Sequence, residues 1–239
     1  MMLLQNLTKE LNKQAVVPEM IATRAAYGAA LLELGKTNKN IIVLDADLSK
    51  STTTRKFADK YPDRFFNMGI AEANMMGTAS GLASCGKSVF VSTFAIFATG
   101  RAWEQVRNTI CYCNLNVKIV ATHAGLGVGP DGASHQMNED IAIMSSIPNM
   151  VVIEPCDGPE TQKAVNAILE INGPVYLRLG RSAVPVITNK DHKFEIGKGV
   201  TFRKGNDISI IACGIMVEKA LEAAETLSNA GIEATVINM

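Results

Sequence analysis

Glu72 stands in the run Asn67-Met68-Gly69-Ile70-Ala71-Glu72-Ala73-Asn74-Met75-Met76-Gly77, and from Gly69 to Ala83 nearly every residue is small or apolar. A carboxylate in such a helix is costly unless it finds a partner or takes up a proton. It is either a surface or helix-end residue, or a carboxylate kept for chemistry. Further on, His123 and His135 flank a Gly-rich loop with Asp131 between them, a set at a strand's end that marks a polar pocket. Phe94 and Phe97, three apart, read as core aromatics or as a stacking wall for a flat heterocycle. His135 and Glu139, four apart, would ligate a metal only if His123 converged with them. Gly127-Val128-Gly129-Pro130-Asp131-Gly132 has the form G-x-G-x-x-G after a strand, as in dinucleotide sites. The polar segment 133–138 starts no clear helix, and Pro130 removes an amide that could face a pyrophosphate, so that match is weak.

The elements that must position these groups alternate. Helices are expected over 21–34, 72–84, 100–113 and 158–171, and strands over 41–44, 88–92, 116–122, 150–154 and 175–179. The strands are uninterrupted β-branched runs, the mark of a parallel sheet covered on both faces, so the fold class is α/β, doubly wound. Asp45 and Asp47, Phe94 and Phe97, His123, and Arg178 and Arg181 each follow a strand, where such sheets gather function. Polar composition around 185–199 marks a linker. Beyond it, 208–213, 216–230 and 233–238 read as one β-α-β unit, too little to bury a core alone. The chain divides into a leader over 1–18, a main domain over 19–188, a linker over 189–199 and an incomplete second domain over 200–239.

Composition removes whole classes. Lys plus Arg and Asp plus Glu are both 23 and there is a single Trp, so neither nucleic acid nor an anionic membrane is favoured as a partner. Five scattered cysteines suit reduced thiols rather than a disulfide framework, and Cys111-Tyr112-Cys113 lacks the further ligands of a zinc site. The start carries Lys9, Glu10 and Lys13 without a long apolar core, unlike a signal peptide, and no run is apolar enough to span a membrane. A cytoplasmic protein is expected.

Four blocks in order resemble the transketolase family, in particular the C-terminal subunit of transketolases split into two chains. They are Asp45-Ala46-Asp47-Leu48, Phe66 through Glu72, Ser92-Thr93-Phe94-Ala95-Ile96-Phe97, and Thr122 through Gln136. The resemblance implies a thiamin diphosphate-binding fold: a pyrimidine domain followed by the start of a smaller α/β C-terminal domain. It implies that Glu72 hydrogen-bonds N1′ of the aminopyrimidine, with Phe97 stacked on that ring and Phe94 beside it. It further implies that Arg24, Ser51, His123 and Arg181 hold a sugar phosphate, that Asp47 and Asp131 read substrate hydroxyls or line the channel, and that His135 shuttles a proton. In the family a Tyr three residues beyond Phe97 often completes the aromatic wall; here that position is Gly100. The family's Gly-Asp-Gly element for diphosphate and Mg²⁺ does not occur in this sequence. The expectation is therefore a subunit that transfers a two-carbon ketol unit only with an N-terminal partner carrying the diphosphate and Mg²⁺, self-associated across a dimer interface. Similar helices occur in 1-deoxyxylulose-5-phosphate synthase and in the β subunit of 2-oxo-acid dehydrogenases, and a non-catalytic pyrimidine-domain module is the reading from another class.

Overall fold

The computed structural model describes residues 18–189 and 191–239, so the expected leader lies outside the described residues apart from Pro18. A short strand, β1 (Met20–Ala22), leads into helix α1 (Thr23–Thr37). Strands β2 (Ile41–Asp45), β3 (Phe65–Asn67), β4 (Ser88–Phe94), β5 (Val117–Thr122), β6 (Val151–Ile153) and β7 (Val175–Arg178) form one sheet. Its order is β3-β2-β4-β5-β7-β6, with every pairing parallel. Helices α2 (Ser49–Thr52), α3 (Arg55–Lys60), α4 (Glu72–Ser84), α5 (Asp140–Ser145) and α6 (Gly158–Ala167) lie in the connections.

Successive strand residues enter opposite cores, which is why the strands read as continuous apolar runs. Leu44, Val91 and Ile119 pack with Met75, Met76 and Ala79 of α4 on one side. Val43, Phe90 and Val120 pack with Tyr27 and Leu31 of α1 on the other. Each Val, Leu, Ile, Phe or Met among them, fully buried, contributes roughly 1.5–3 kcal/mol before the entropy of ordering it. The expected doubly wound α/β sheet is thus present.

Several local expectations are corrected. Ile21 is not helical: β1 pairs antiparallel with β8 (Ala183–Pro185), with Ile21 opposite Val184, so helix α1 starts two residues later than predicted. The helix expected over 100–113 is two π-helical segments, Phe97–Arg101 and Gln105–Cys111, with Ala102 N–H donating to Phe97 O and Tyr112 N–H to Arg107 O. Helix α6 ends at Ala167 and tightens into a 3-10 turn over Ile168–Glu170. The polar segment after β8 is anchored: the amides of Ile187 and Thr188 donate to Asp157 Oδ2, at 2.9 and 2.7 Å, and Asp157 also caps α6.

The second unit holds one more strand than expected. It comprises β9 (Val200–Arg203), β10 (Ile208–Ala212), helix α7 (Met216–Asn229) and β11 (Ala234–Asn238). Strand β11 pairs parallel with β10 and antiparallel with β9. The buried core under it is small, drawn from Ala220, Ala224, Ala234 and Val236. It leans on the main domain: Asn238 Nδ2 donates to Glu160 Oε1 at 2.8 Å and Gly214 N–H to Glu154 O at 3.2 Å.

Candidate active site

The carboxyl ends of β2, β4, β5 and β7 deliver most of the polar groups singled out above, as a parallel sheet does. Two of these ends bend sharply. Asp47 and His123, just past β2 and β5, have φ values of 62° and 58°, a left-handed conformation that costs a non-glycine residue free energy and concentrates at functional sites. Asp45 itself is fully buried and structural. It accepts from Leu48 N–H and from the hydroxyls of Thr52 and Thr54 at 2.7, 2.7 and 2.8 Å, while burial pushes its carboxyl above the usual range. Asp47 is exposed and exchanges two hydrogen bonds with Asn67, whose side chain also accepts from Gly69 N–H at 3.0 Å. Gly69 has φ 70°, a turn that a β-carbon would strain, and it leads the chain into Glu72.

Glu72 opens α4 and is 1% exposed. The positive end of a helix favours a carboxylate there. Arg101 Nη1 lies 3.1 and 3.0 Å from its two oxygens, and the Arg101 guanidinium carbon lies 4.3 Å from the centroid of the Phe97 ring. Of the two ordinary expectations for this carboxylate, helix end and surface, only the first holds: Glu72 is at a helix end but buried. Phe97 is half-buried and nearly parallel to Phe94, with ring centroids 6.0 Å apart. Gly100 is exposed and adds no ring to this wall.

His135 stands edge-on to Phe97 at 5.3 Å, with its Nδ1 3.0 Å from Ser134 Oγ. His123, 2% exposed, stacks on Phe94 at 3.9 Å, and its Nδ1 lies 2.9 Å from Thr122 Oγ1. Burial, with help from the Arg24 cation, pushes its pKa down to about 4; exposed Asp131 pulls it the other way. His123 is therefore a neutral imidazole at pH 7, a hydrogen-bonding group and not a charge.

Charge at this end of the sheet comes from two arginines. Arg24 is not on a solvated helix face: its Nε donates to Arg181 O at 2.9 Å and its Nη1 to Ser51 O at 2.7 Å. Burial and the neighbouring Arg181 both lower its pKa, as expected of two cations held close. Arg181 in turn lies against Gly129, where a β-carbon would come within 2.6 Å of Arg181 Nη1. Arg178 is spoken for elsewhere: it pairs with Asp140 at 2.8 Å and with Glu154.

The structure thus brings Glu72, Phe97, Phe94, His123 and His135 into one wall, and Arg24, Ser51 and Arg181 into one cationic corner near His123. Asp47 and Asp131 sit at the exposed rim. Arg101, Asn67 and Thr122 were not singled out from sequence. Arg101 carried no usable signal: the helix was expected to begin at 100, so Phe97 lay before it, and only the structure puts both in one turn. Among the described residues no group of three His, Cys, Asp or Glu side chains converges as metal ligands.

Residues 19–186 match the family model described as "Transketolase, pyrimidine binding domain", and residues 197–239 match "Transketolase, C-terminal domain". The chain is 55% identical over 218 residues to a protein of Methanocaldococcus jannaschii assigned as a transketolase C-terminal section, spanning 90% of this chain and 69% of that one. It is 41% identical over 216 residues to the 6-deoxy-6-sulfo-D-fructose transketolase subunit of a Clostridium species, covering 90% of this chain and 67% of the relative. Among solved structures it resembles a split-gene transketolase described as an inactive β4 tetramer, with TM-score 0.85 and 56% identity over 92% of this chain and 72% of that one. Fold, family models and relatives agree: the chain belongs to the transketolase family.

Proposed function

We propose that the chain is the pyrimidine-side subunit of a two-chain, thiamin diphosphate-dependent transketolase that moves a two-carbon ketol unit from a ketose phosphate to an aldose phosphate. The observation that carries this reading is the buried Glu72 carboxylate beside the Phe97 ring. Arg101 shows the kind of group these two partners take: a flat one with N–H donors, set over an aromatic face and against a carboxylate. An aminopyrimidine is such a group in its 1′,4′-imino tautomer, which carries a hydrogen on N1′.

Bound thiamin diphosphate supplies electron-sink chemistry for breaking and making a carbon–carbon bond beside a carbonyl. Glu72 would hold the ring nitrogen N1′ and set the ring's tautomer, Phe97 would stack on the ring, and Phe94 would fill the wall behind it. His135, beside Phe97, would hold or pass a proton between cofactor and substrate hydroxyl. His123, neutral and fixed by Thr122, would hydrogen-bond the sugar, and Asp47 and Asp131 would read hydroxyls at the rim. Arg24 and Arg181, already in contact, would grip the anionic end of the substrate, with Ser51 beside them.

The diphosphate and its Mg²⁺ would be held by a partner chain, because this sequence has no Gly-Asp-Gly element. One relative is named for a sulfonated sugar, so the cationic corner is read as selecting an anion at the end of the sugar, phosphate in the first instance. The test is a ketol-transfer assay on the purified chain, with and without a diphosphate-domain subunit, offering xylulose 5-phosphate or pyruvate as donor. Turnover of xylulose 5-phosphate by the pair alone is expected. Turnover by the chain alone, or a preference for pyruvate, would contradict the reading.

A further inference from the structure

The role of Arg101 goes beyond showing that a flat group fits. Glu72 is 1% exposed, and among the described residues its carboxylate accepts side-chain hydrogen bonds from Arg101 alone. The same guanidinium lies over Phe97. One side chain therefore touches both groups to which the proposed function gives the pyrimidine ring. Arg101 is half exposed, so it enters this contact without the full desolvation cost of a buried cation.

The contact also leaves hydrogen-bonding capacity on Glu72. A carboxylate offers about four lone-pair sites, and a single bridging nitrogen takes one on each oxygen. The guanidinium lies over the Phe97 ring, whose other aromatic neighbours are Phe94, stacked at 6.0 Å, and His135, edge-on at 5.3 Å. Its planarity matters as well, because only a flat cation can lie along a ring and still reach the carboxylate edge-on.

We propose that Arg101 is a positioning residue, which locks the Glu72 carboxylate and the Phe97 ring in the mutual geometry that the cofactor's heterocycle must meet. This rests on the thiamin diphosphate reading above. Without Arg101 the buried carboxylate loses its one side-chain donor among the described residues, and cofactor binding must supply that ordering itself.

The test is calorimetric titration of thiamin diphosphate, with Mg²⁺, into the chain assembled with its diphosphate-domain partner. Native chain is compared with R101M, R101K, E72Q and the R101M/E72Q double variant. R101M should weaken cofactor binding roughly tenfold to a hundredfold, the range to which one charge-assisted hydrogen bond converts. R101K, with the charge but not the plane, should recover part of that loss. Because Arg101 acts through Glu72, the double variant should bind like E72Q alone, within about threefold. At saturating cofactor, the KM for the sugar phosphate should stay unchanged. Unchanged or tighter binding by R101M would overturn the proposal and make Arg101 a competitor of the ring. Losses that multiply in the double variant would also overturn it, by showing that Arg101 acts independently of Glu72. An assembly that binds no thiamin diphosphate with native residues overturns the cofactor reading, and this proposal with it.

Discussion

His123 should make the chain acid-sensitive in a defined window. Its pKa falls from 6.5 to about 4 in the folded chain, chiefly because the imidazole is buried against Phe94, with the Arg24 cation adding to the effect. The unfolded chain then binds a proton at this residue that the folded chain refuses. Stability contributed by the neutral imidazole is complete above pH 6.5 and lost as pH falls from 6.5 to about 4. A difference of that size corresponds to about 3 kcal/mol. The substitution to use is His123→Asn, since Asn tolerates the left-handed backbone that His123 adopts at φ 58°. Urea unfolding of both chains at intervals from pH 7.5 to 4 isolates the residue, because the carboxylates and the other histidines are common to both. Native chain should lose about 3 kcal/mol relative to the variant across this window. Parallel stability curves, or an NMR titration of His123 with a midpoint near 6.5, would refute the reasoning.

Two further outcomes follow from close contacts. Gly129→Ala puts a β-carbon 2.6 Å from Arg181 Nη1 at a position with φ 83°. It should cost about 1–3 kcal/mol in backbone strain and raise the sugar-phosphate KM of the assembled enzyme roughly tenfold, while thiamin diphosphate affinity changes little. Melting curves and steady-state kinetics check the two parts. Asp140→Ala removes the acceptor of Tyr176 Oη and Arg178 Nε, at 2.7 and 2.8 Å, from a fully buried site. Urea unfolding should show a loss of about 3–5 kcal/mol, the cost of breaking a buried ion pair and leaving the Tyr176 hydroxyl without its acceptor, while Arg178 keeps Glu154.

Helix α4 was legible to the residue, because small side chains from 72 to 84 and a terminal glycine leave little choice. The parallel sheet was legible too, since both faces of its central strands are buried and their residues are apolar without alternation. The short strands β1, β3, β8 and β9 were not, because they hold no buried residue and so lack the continuous apolar run that marks the equally short β6 and β7. Nor were the π-helical turns, whose pattern over 100–113 differs from an α-helix by one residue per turn.

The site was legible where motif and strand end coincide, as at Glu72, Phe97 and His123. Arg24 was harder. Its helix position suggests a solvated face, and only the fold reveals that α1 presents it to Ser51 O and Arg181 O. Arg101 escaped for the same reason: an arginine in a polar helix is ordinary until a buried carboxylate is found beneath it.

The central claim is that Glu72 lies against a pyrimidine ring whose diphosphate another chain holds. Titrating thiamin diphosphate with Mg²⁺ into the chain, into a diphosphate-domain subunit, and into their mixture tests it most directly. Saturable, tight binding by the mixture alone, lost when Glu72→Ala replaces the native chain, is the predicted result. Equal binding by the Glu72→Ala mixture, or tight binding by the isolated chain, would contradict it.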